Sequence, residues 1–186
     1  RGTLLSVIDR TVTAMGGRML KTWLLYPEID PDRINARLDA VEEAKTRQTV
    51  RHRLRERLKS VYDLERIGSK ISMGHCNARD LTALKRSLQA LPEIKEDLNQ
   101  LQNRLYLMAE DLEPLTALAD LIERAIREDA PPTVQDGGMI RSGFNPELDD
   151  LVRISHDGKG WLAGLEVSER EATGINTLKV RYNKVF

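Results

Sequence analysis

The residue types that most often carry out catalysis or bind metal ions are scattered through this sequence. His52, His75 and His156 are far apart, and Cys76 has no second cysteine or suitably spaced histidine to complete a zinc shell. The run SHDG at 155–158 contains Ser, His and Asp, but consecutive helical residues point about 100° apart and cannot contact one another as a catalytic triad does. We therefore expect no metal or thiol site, and we interpret His75 and Cys76 as part of a helix junction.

Phosphate-binding and acid–base motifs are also missing from the sequence. The run DGKG at 157–160 lacks the spaced first glycine and the Ser or Thr of a phosphate loop. The paired acids Glu42 and Glu43, and Asp149 and Asp150, fit solvated helix faces better than an acid–base pair. The chain is therefore not expected to be an enzyme, and we expect it to hold no cofactor of its own.

Charge is informative only where it is considered locally. Lys plus Arg equals Asp plus Glu at 29 each, so the total charge favours neither a nucleic-acid nor a membrane partner. From Arg47 to Lys70, eight basic residues accompany three acidic ones, which is compatible with a nucleic-acid face. The alternative, which we favour, is that these side chains snorkel around a packed helix, because they flank the apolar stripe of Val50, Leu54 and Leu58.

The last twelve residues of the chain contain basic side chains and no acid. In TGINTLKVRYNKVF, apolar and polar side chains alternate with roughly the period of a half-exposed strand. Basic residues and small polar donors suit the phosphate oxygens that DNA of any sequence presents, and the alternative is an ordinary solvated strand face. The candidate phosphate-contacting residues are Asn176, Thr177, Lys179, Arg181 and Lys184.

Helices are predicted for most of the chain, because apolar residues recur at helical spacing from Leu4 to about Asp129. We expect about five to seven helices in this block. Asp30 and Asn77 precede helical patterns as capping residues, and Pro31 suits a first helical position.

Two details of this block concern packing. The helix that begins at Pro31 places Ile34, Leu38 and Val41 on one face. Gly16 and Gly17 interrupt an apolar helical stretch, which indicates either the close approach of another element or a simple kink or helix start.

The helical block ends at the double proline, Pro131 and Pro132, and two further elements follow it. Two short extended runs around the Asp-Gly-Gly sequence at 136–138 predict a β-hairpin near residues 133–142. The pattern at 146–173 predicts one helix of about 42 Å, at 1.5 Å per residue. Such a helix needs a partner, and no later segment in the sequence supplies one.

The composition indicates how the core is filled and where the protein is located. The chain has 186 residues, 40% of them hydrophobic and 4% aromatic, so Leu, Ile and Val must fill its core. One cysteine cannot form an internal disulfide, which makes the cytoplasm the expected location. The first residue is Arg1, and Gly2 to Ile8 is too short and too polar for a membrane span, so we expect an excised piece of a larger soluble protein.

Six sequence blocks resemble, in the same order, the MutS family of bacterial DNA mismatch-recognition proteins. They are LLSVIDRTVTAMGGRMLKTWLLYP, INARLDAVEEA, VYDLERIGSKI, NARDLTALKRSLQALP, GGMIRSGFNPELDDL and TGINTLKVRYNKVF. The resemblance covers nearly the whole chain. It is to the core, or lever, domain of the family and to the start of its clamp domain.

The resemblance implies a mainly α fold with three parts. Residues 1–145 would be a multi-helix core with the short hairpin, 146–174 a long protruding lever helix, and 175–186 the truncated, β-stranded start of the DNA clamp. The clamp of this family binds the duplex backbone, and the lever couples it to ATPase domains that have no counterpart here. Because the mismatch-reading domain and the G-x-x-x-x-G-K-[ST] motif are also missing, this chain should neither detect mismatches nor hydrolyse ATP.

The resemblance also implies site residues and partners. Asn176, Thr177 and Lys179 lie in the matched INTLKV block, Arg181 stands where glycine is common in relatives, and Lys184 lies in the last matched residues. The larger protein is expected to be a cytoplasmic homodimer that uses ATP and Mg and works with double-stranded DNA and other mismatch repair proteins. The rival function is a helical protein-interaction scaffold without DNA binding.

Overall fold

The computed structural model describes residues 2–179 of the chain. Four side chains within that range are left out of the description: Glu110, His156, Lys159 and Trp161. The chain divides into two compact units, one up to residue 141 and one from residue 142. The regular structure of the described residues is helical, which confirms the mainly α prediction. The three domain boundaries expected from the sequence stay predictions.

Nine α-helices lie within the described residues. They are α1 (Leu4–Ile8), α2 (Ala14–Leu25), α3 (Pro31–Thr46), α4 (Gln48–Leu58), α5 (Leu64–Ser72), α6 (Ala78–Leu98), α7 (Arg104–Leu107), α8 (Thr116–Ala125) and α9 (Pro146–Thr173). The block before Pro131 thus holds eight helices, more than the sequence predicted, because α1 and α7 have only five and four residues.

Local capping explains where several helices begin. The Asp30 side chain accepts a hydrogen bond from the N–H of Asp32 at 2.9 Å, and Pro31 occupies the first helical position. At the start of α6, Asn77 and Asp80 form a reciprocal capping box, with bonds of 2.9 and 3.2 Å. Both helix starts predicted from the sequence are therefore confirmed.

α6 is the central helix of the larger unit and packs against α4, α5 and α8. It buries Leu88 and Ile94, which are only 4% and 5% exposed. The helix continues through Pro92, although proline removes one backbone hydrogen bond from a helix interior. Buried apolar residues on both sides of Pro92 provide the tertiary packing that offsets this loss.

The predicted β-hairpin is not formed. A short 3₁₀ turn, Val134–Asp136, occupies its first run, and Gly137 and Gly138 follow with φ of 67° and 65°. The second run pairs elsewhere, because Ile140 forms an isolated antiparallel bridge with Ile126, just after α8. The glycines do supply the positive φ that the sequence indicated, but they lead the chain to a different partner.

Gly16 and Gly17 lie in the first turn of α2, against the loop that caps it. A Cβ on Gly16 would lie 2.9 Å from the Oγ1 of Thr13, which accepts a hydrogen bond from the Gly16 N–H at 3.0 Å. A Cβ on Gly17 would lie 3.3 Å from the Oγ1 of Thr11. Both alternatives considered for this pair are therefore present: the glycines mark a helix start, and the capping loop approaches them closely.

α3 shows that a shared apolar face need not be a buried one. Ile34, Leu38 and Val41 share one face as predicted, but they are 37%, 59% and 63% exposed. The packed side of α3 is built instead around Ala40, whose carbonyl accepts a hydrogen bond from the hydroxyl of Tyr106 at 2.6 Å. α7 packs against this side of α3, so the buried side of the helix differs from its apolar face.

α9 is a single helix of 28 residues with the bounds predicted from the sequence. Asn145 caps it by accepting a hydrogen bond from the N–H of Leu148 at 3.1 Å, and Pro146 opens it. Gly174 ends it with a left-handed φ of 69°, which costs glycine no steric strain. The first half of its apolar seam is exposed, with Leu148 and Leu151 at 37% and 64%.

Candidate nucleic-acid interface

The basic run from Arg47 to Lys70 is engaged in contacts within the protein. Seven of its eight basic side chains contact a carboxylate or a backbone carbonyl of this chain: Arg51, Arg53, Arg55, Arg57, Lys59, Arg66 and Lys70. Val50 is buried beneath them. The structure therefore favours the interpretation of this run as the packed face of a helix over a nucleic-acid face.

Asp97 of α6 lies at the centre of these contacts. The Nε of Arg53 donates to its Oδ1 at 2.9 Å, and the guanidinium of Arg57 lies 2.9 Å from its Oδ2 as an ion pair without hydrogen-bond geometry. The Asp97 side chain is 1% exposed. A carboxylate this buried requires paired cations, so Arg53 and Arg57 hold α4 against α6.

The candidate phosphate-contacting residues follow the C-terminus of α9, where the chain is held in a turn. The Nε of Arg170 donates to the carbonyl of Leu178 at 2.8 Å, and its guanidinium also pairs with Glu166. The N–H of Leu178 donates to the carbonyl of Ile175 at 3.1 Å. These bonds tie the residues after Gly174 to the last turns of the helix.

Asn176 and Thr177 lie at the tip of this turn, and Lys179 follows it. All three residues are exposed, so the turn presents an amide, a hydroxyl and an ammonium group to solvent. These groups donate hydrogen bonds to anions, and the ammonium adds one positive charge. The structure thus brings together the three residues of the INTLKV block.

The predicted terminal strand is wrong for the residues that the structure describes, because Ile175 to Leu178 form a turn instead. Gly174 ends the helix with a left-handed φ, and the Nε of Arg170 donates to the carbonyl of Leu178. The other two candidates, Arg181 and Lys184, lie outside the described residues.

Arg170 is a site residue that the sequence analysis missed. It positions the turn from within the last turn of α9, although it is not itself a candidate contact. The pair with Glu166 could have been predicted from the sequence, because residues four apart meet on a helix surface. The bond to Leu178 could not be found in the same way, because it depends on the path of the chain beyond the helix.

The paired acids have structural roles that the sequence analysis also missed. Glu43 accepts hydrogen bonds from the N–H groups of Gln102 and Asn103 at 2.6 and 2.8 Å. Asp149 accepts one from the N–H of Gly143 at 2.7 Å. The prediction of purely solvated helix faces was therefore wrong for Glu43 and Asp149, which bind backbone donors.

His75 and Cys76 lie in the junction between α5 and α6, as predicted. Burial and, to a smaller extent, the nearby carboxylate of Asp80 raise the pKa of the Cys76 thiol. A raised pKa keeps the thiol protonated and poorly nucleophilic at neutral pH. In the part of the chain that the structure describes, no three His, Cys, Asp or Glu residues are grouped so that they could hold a metal ion.

Between residues 2 and 179, no helix combines the length and the apolar character needed to cross a bilayer.

Comparison with known protein families shows which family the chain belongs to. The model of the MutS domain III family matches residues 1–184, which is nearly the whole chain. The chain belongs to the MutS domain III family. The resemblance seen in the six sequence blocks is thereby confirmed, and the match includes α9 and the Asn176–Lys179 segment.

Curated relatives of this MutS domain III chain are similar over its full length. It is 53% identical over 192 residues to the DNA mismatch repair protein MutS of Desulforapulum autotrophicum and 54% identical over 187 residues to that of Desulfatibacillum aliphaticivorans. It is 47% identical to the protein of the same name from Geobacillus kaustophilus. Each alignment covers 100% of this chain but only 21% or 22% of the relative. The chain therefore spans about a fifth of the length of the curated relatives it matches.

Proposed function

We propose that this chain is the core and lever part of a DNA mismatch repair protein of the MutS type. In this proposal α9 is the lever, and the residues after Gly174 begin a clamp that contacts the backbone of duplex DNA without sequence preference. The observation that carries the proposal is the family match over residues 1–184, which includes the exposed turn at the end of α9.

The chemistry of the turn supports backbone contact rather than base recognition. Asn176, Thr177 and Lys179 carry small donors on exposed positions, and phosphate oxygens accept such donors in DNA of any sequence. Arg181 and Lys184 would add two positive charges to the same contact. Each phosphate neutralised by a charged side chain contributes roughly 0.9 to the slope of log affinity against log salt. The few cations in this segment therefore make it a modest part of a larger interface.

The larger protein is proposed to be a cytoplasmic homodimer whose ATPase domains use ATP and Mg and whose lever transmits changes between those domains and the clamp. It would also meet other mismatch repair proteins. The residues of this chain do not fit a nucleotide site, because the sequence has no G-x-x-x-x-G-K-[ST] segment. The ATPase chemistry would therefore belong to other parts of the polypeptide.

A salt titration of DNA binding tests the proposal in the full-length protein. Lys179→Glu should weaken binding to matched and mismatched duplexes by the same factor and reduce the salt slope by about 0.9, because one phosphate contact is lost. Lys21→Glu is the matched control, since Lys21 is an exposed lysine on α2 and undergoes the same change of charge. We expect this control to retain the affinity and slope of the unaltered protein.

Two outcomes would overturn the assignment of the turn to the DNA backbone. One is an equal loss of affinity in Lys179→Glu and Lys21→Glu, which would mean that only the total charge matters. The other is a loss confined to the mismatched duplex, which would place Lys179 in mismatch recognition instead.

A helical protein-interaction scaffold is the second candidate, and the exposed apolar residues of α2 and α3 favour it. Met19 and Trp23 are 57% and 43% exposed on α2, and Leu38 and Val41 are exposed on α3. Apolar surface of this kind fits contact with other protein segments. A full-length protein that binds duplex DNA equally well with and without Lys179, Arg181 and Lys184 would favour the scaffold.

A further inference from the structure

The pair Asp–Gly occurs twice in the sequence, as Asp136–Gly137 and as Asp157–Gly158. Glycine has no Cβ, so its amide nitrogen can approach the carboxyl carbon of the aspartate before it and close a succinimide ring. Both aspartates are exposed to solvent. The two pairs therefore have the same local chemistry, and the backbone around each pair decides whether the ring can form.

The second pair, Asp157–Gly158, lies in the interior of α9. In an α-helix each N–H donates to the carbonyl four residues before it, so the nitrogen of Gly158 is bonded to the carbonyl of Ile154. Ring closure requires the Cβ, Cα, C and N atoms of the ring to lie close to a plane, which a helical ψ of about −42° does not allow. The ring at Asp157 can therefore form only after the interior of the helix has opened locally.

The first pair, Asp136–Gly137, lies at the end of the short 3₁₀ turn Val134–Asp136, which buries none of its residues. The N–H of Gly137 donates to the carbonyl of Val134 at 3.2 Å. Thr133 contributes two more hydrogen bonds: its carbonyl accepts from the N–H of Asp136 at 3.3 Å, and its hydroxyl donates to the Oδ2 of Asp136 at 2.6 Å. Opening this turn breaks hydrogen bonds at an exposed surface and uncovers no buried side chain, so it costs less free energy than opening a helix interior.

We propose that Asp136 is a site of spontaneous isomerisation to isoaspartate, whereas Asp157 is protected by its helix. In the first step the nitrogen of Gly137 bonds to the Cγ of Asp136, and the hydroxyl of the protonated carboxyl group leaves as water with the amide proton. In the second step water cleaves the succinimide at one of its two carbonyl carbons. Cleavage between the nitrogen and Cγ restores aspartate, and cleavage between the nitrogen and the main-chain carbonyl carbon gives isoaspartate.

The product at Asp136 has a different backbone and a new carboxylate. Water is the only co-reactant, and it is released once and consumed once. The main chain of the product runs through Cβ and Cγ, and the former main-chain carbonyl carbon becomes a free carboxylate. This carboxylate is the group that a methyltransferase specific for L-isoaspartyl residues modifies, so that class of enzyme is the partner of the site. The site does not depend on whether the turn after α9 binds DNA.

Ageing the full-length protein at neutral pH in water enriched in heavy oxygen tests the proposal, because hydrolysis of the succinimide incorporates the label. Digestion and mass spectrometry then measure the label in the peptide that contains each pair. The Asp136 peptide should carry at least roughly tenfold more label than the Asp157 peptide, because the exposed turn opens more often than the helix interior. An L-isoaspartyl methyltransferase with a labelled methyl donor should modify the same peptide.

Two matched substitutions assign the label to a residue. Asp136→Glu should abolish the label in its peptide, because the longer side chain would have to close a larger and less favourable ring. Asp157→Glu is the same change at an exposed position in α9 and should leave the label at Asp136 unchanged. Equal label at the two pairs of the folded protein, or none at Asp136, would overturn the proposal.

Two further measurements test whether the backbone is the cause. Ser155→Pro should raise the label at Asp157, because proline disfavours the helical conformation of Ile154, whose carbonyl binds the nitrogen of Gly158. In concentrated urea the two pairs of the unaltered protein should react equally, because the fold no longer distinguishes them. An unchanged rate at Asp157 in Ser155→Pro, or unequal rates in urea, would contradict protection by the helix.

Discussion

The unit that ends at residue 141 and the helix α9 use the same kinds of side chain in opposite environments. Leu88 of α6 is 4% exposed, whereas Leu151 of α9 is 64% exposed. Asp97 of α6 has a side chain that is 1% exposed between two arginines, whereas Asp150 of α9 is 64% exposed beside Arg153. The difference shows that the residue type alone does not decide burial. The number of helices that surround the position decides it.

The neighbours of α6 and α9 explain this difference. α6 packs against α4, α5 and α8, so each side chain that points into this group loses water on all sides. α9 carries three glycines, and among the described residues a Cβ on any of them would meet nothing within 4 Å outside its own stretch of helix: Gly158, Gly160 and Gly164. A helix with such open surface gains little from tertiary packing, and its stability rests on its caps and its own hydrogen bonds.

Removing one leucine from each region should give the largest contrast. Leu88→Ala should lower the free energy of unfolding by about 3 kcal/mol, because it removes buried methyl groups and leaves a cavity. Leu151→Ala should change it by less than about 0.5 kcal/mol, as exposed positions usually do. Urea denaturation followed by circular dichroism measures both values. Similar losses in the two variants would mean that Leu151 is covered in solution.

Removing one aspartate from each region should also lower the free energy of unfolding more in α6 than in α9, but by a smaller amount than the leucines. Asp97→Ala should lower the free energy of unfolding by about 2 kcal/mol, because it leaves the partly buried Arg53 and Arg57 without their carboxylate partner. Asp150→Ala should cost less than about 0.5 kcal/mol, because its pair with Arg153 is exposed to water and screened by salt. The same denaturation series with and without 0.5 M salt separates the two pairs, and an equal cost would contradict the structural role of Asp97.

Acid should weaken the core through Glu128. Hydrogen bonds from Lys85, and then from Arg86, lower the pKa of Glu128 from 4.5 to about 2. Because the folded state has the lower pKa, the ionised carboxylate stabilises the fold above about pH 4.5, and this contribution is lost as the pH falls toward 2. The urea midpoint of the unaltered protein should therefore decrease across this window.

Glu128→Gln tests the origin of that decrease. This variant should be less stable at neutral pH and should show a shallower decrease in acid, because the titrating group is gone. Glu171→Gln, an exposed change on α9, is the matched control and should follow the pH profile of the unaltered protein. Parallel profiles for all three proteins would show that Glu128 does not contribute.

The smallest effect is expected at Cys76, in the junction between α5 and α6. Cys76→Ala should leave DNA binding by the full-length protein unchanged, because burial raises the pKa of the thiol and keeps it unreactive. Alkylation by iodoacetamide at pH 7 should be correspondingly slow at this residue. Rapid alkylation, or a large loss of binding, would indicate a site at this junction.

The predictions that succeeded from the sequence are those that depend on neighbouring residues. The helical pattern at 146–173 placed both ends of α9, and Asp30 and Asn77 placed the starts of α3 and α6. Capping and helix termination act through hydrogen bonds and backbone conformations that span only about four residues. The family could also be identified, because its sequence blocks occur in order along the chain.

The tertiary structure alone decided the features that join distant residues. Asp97 meets Arg53 across 44 positions, and Ile140 pairs with Ile126 rather than with the run before the glycines. Of the candidate site, the residue types of Asn176, Thr177 and Lys179 were visible in the sequence, but their turn was not, because Arg170 draws Leu178 back toward the helix. A sequence pattern shows which side chains share a face. Only the packed helices and the path of the chain determine which face loses its contact with water, and therefore which charges remain free to meet a partner.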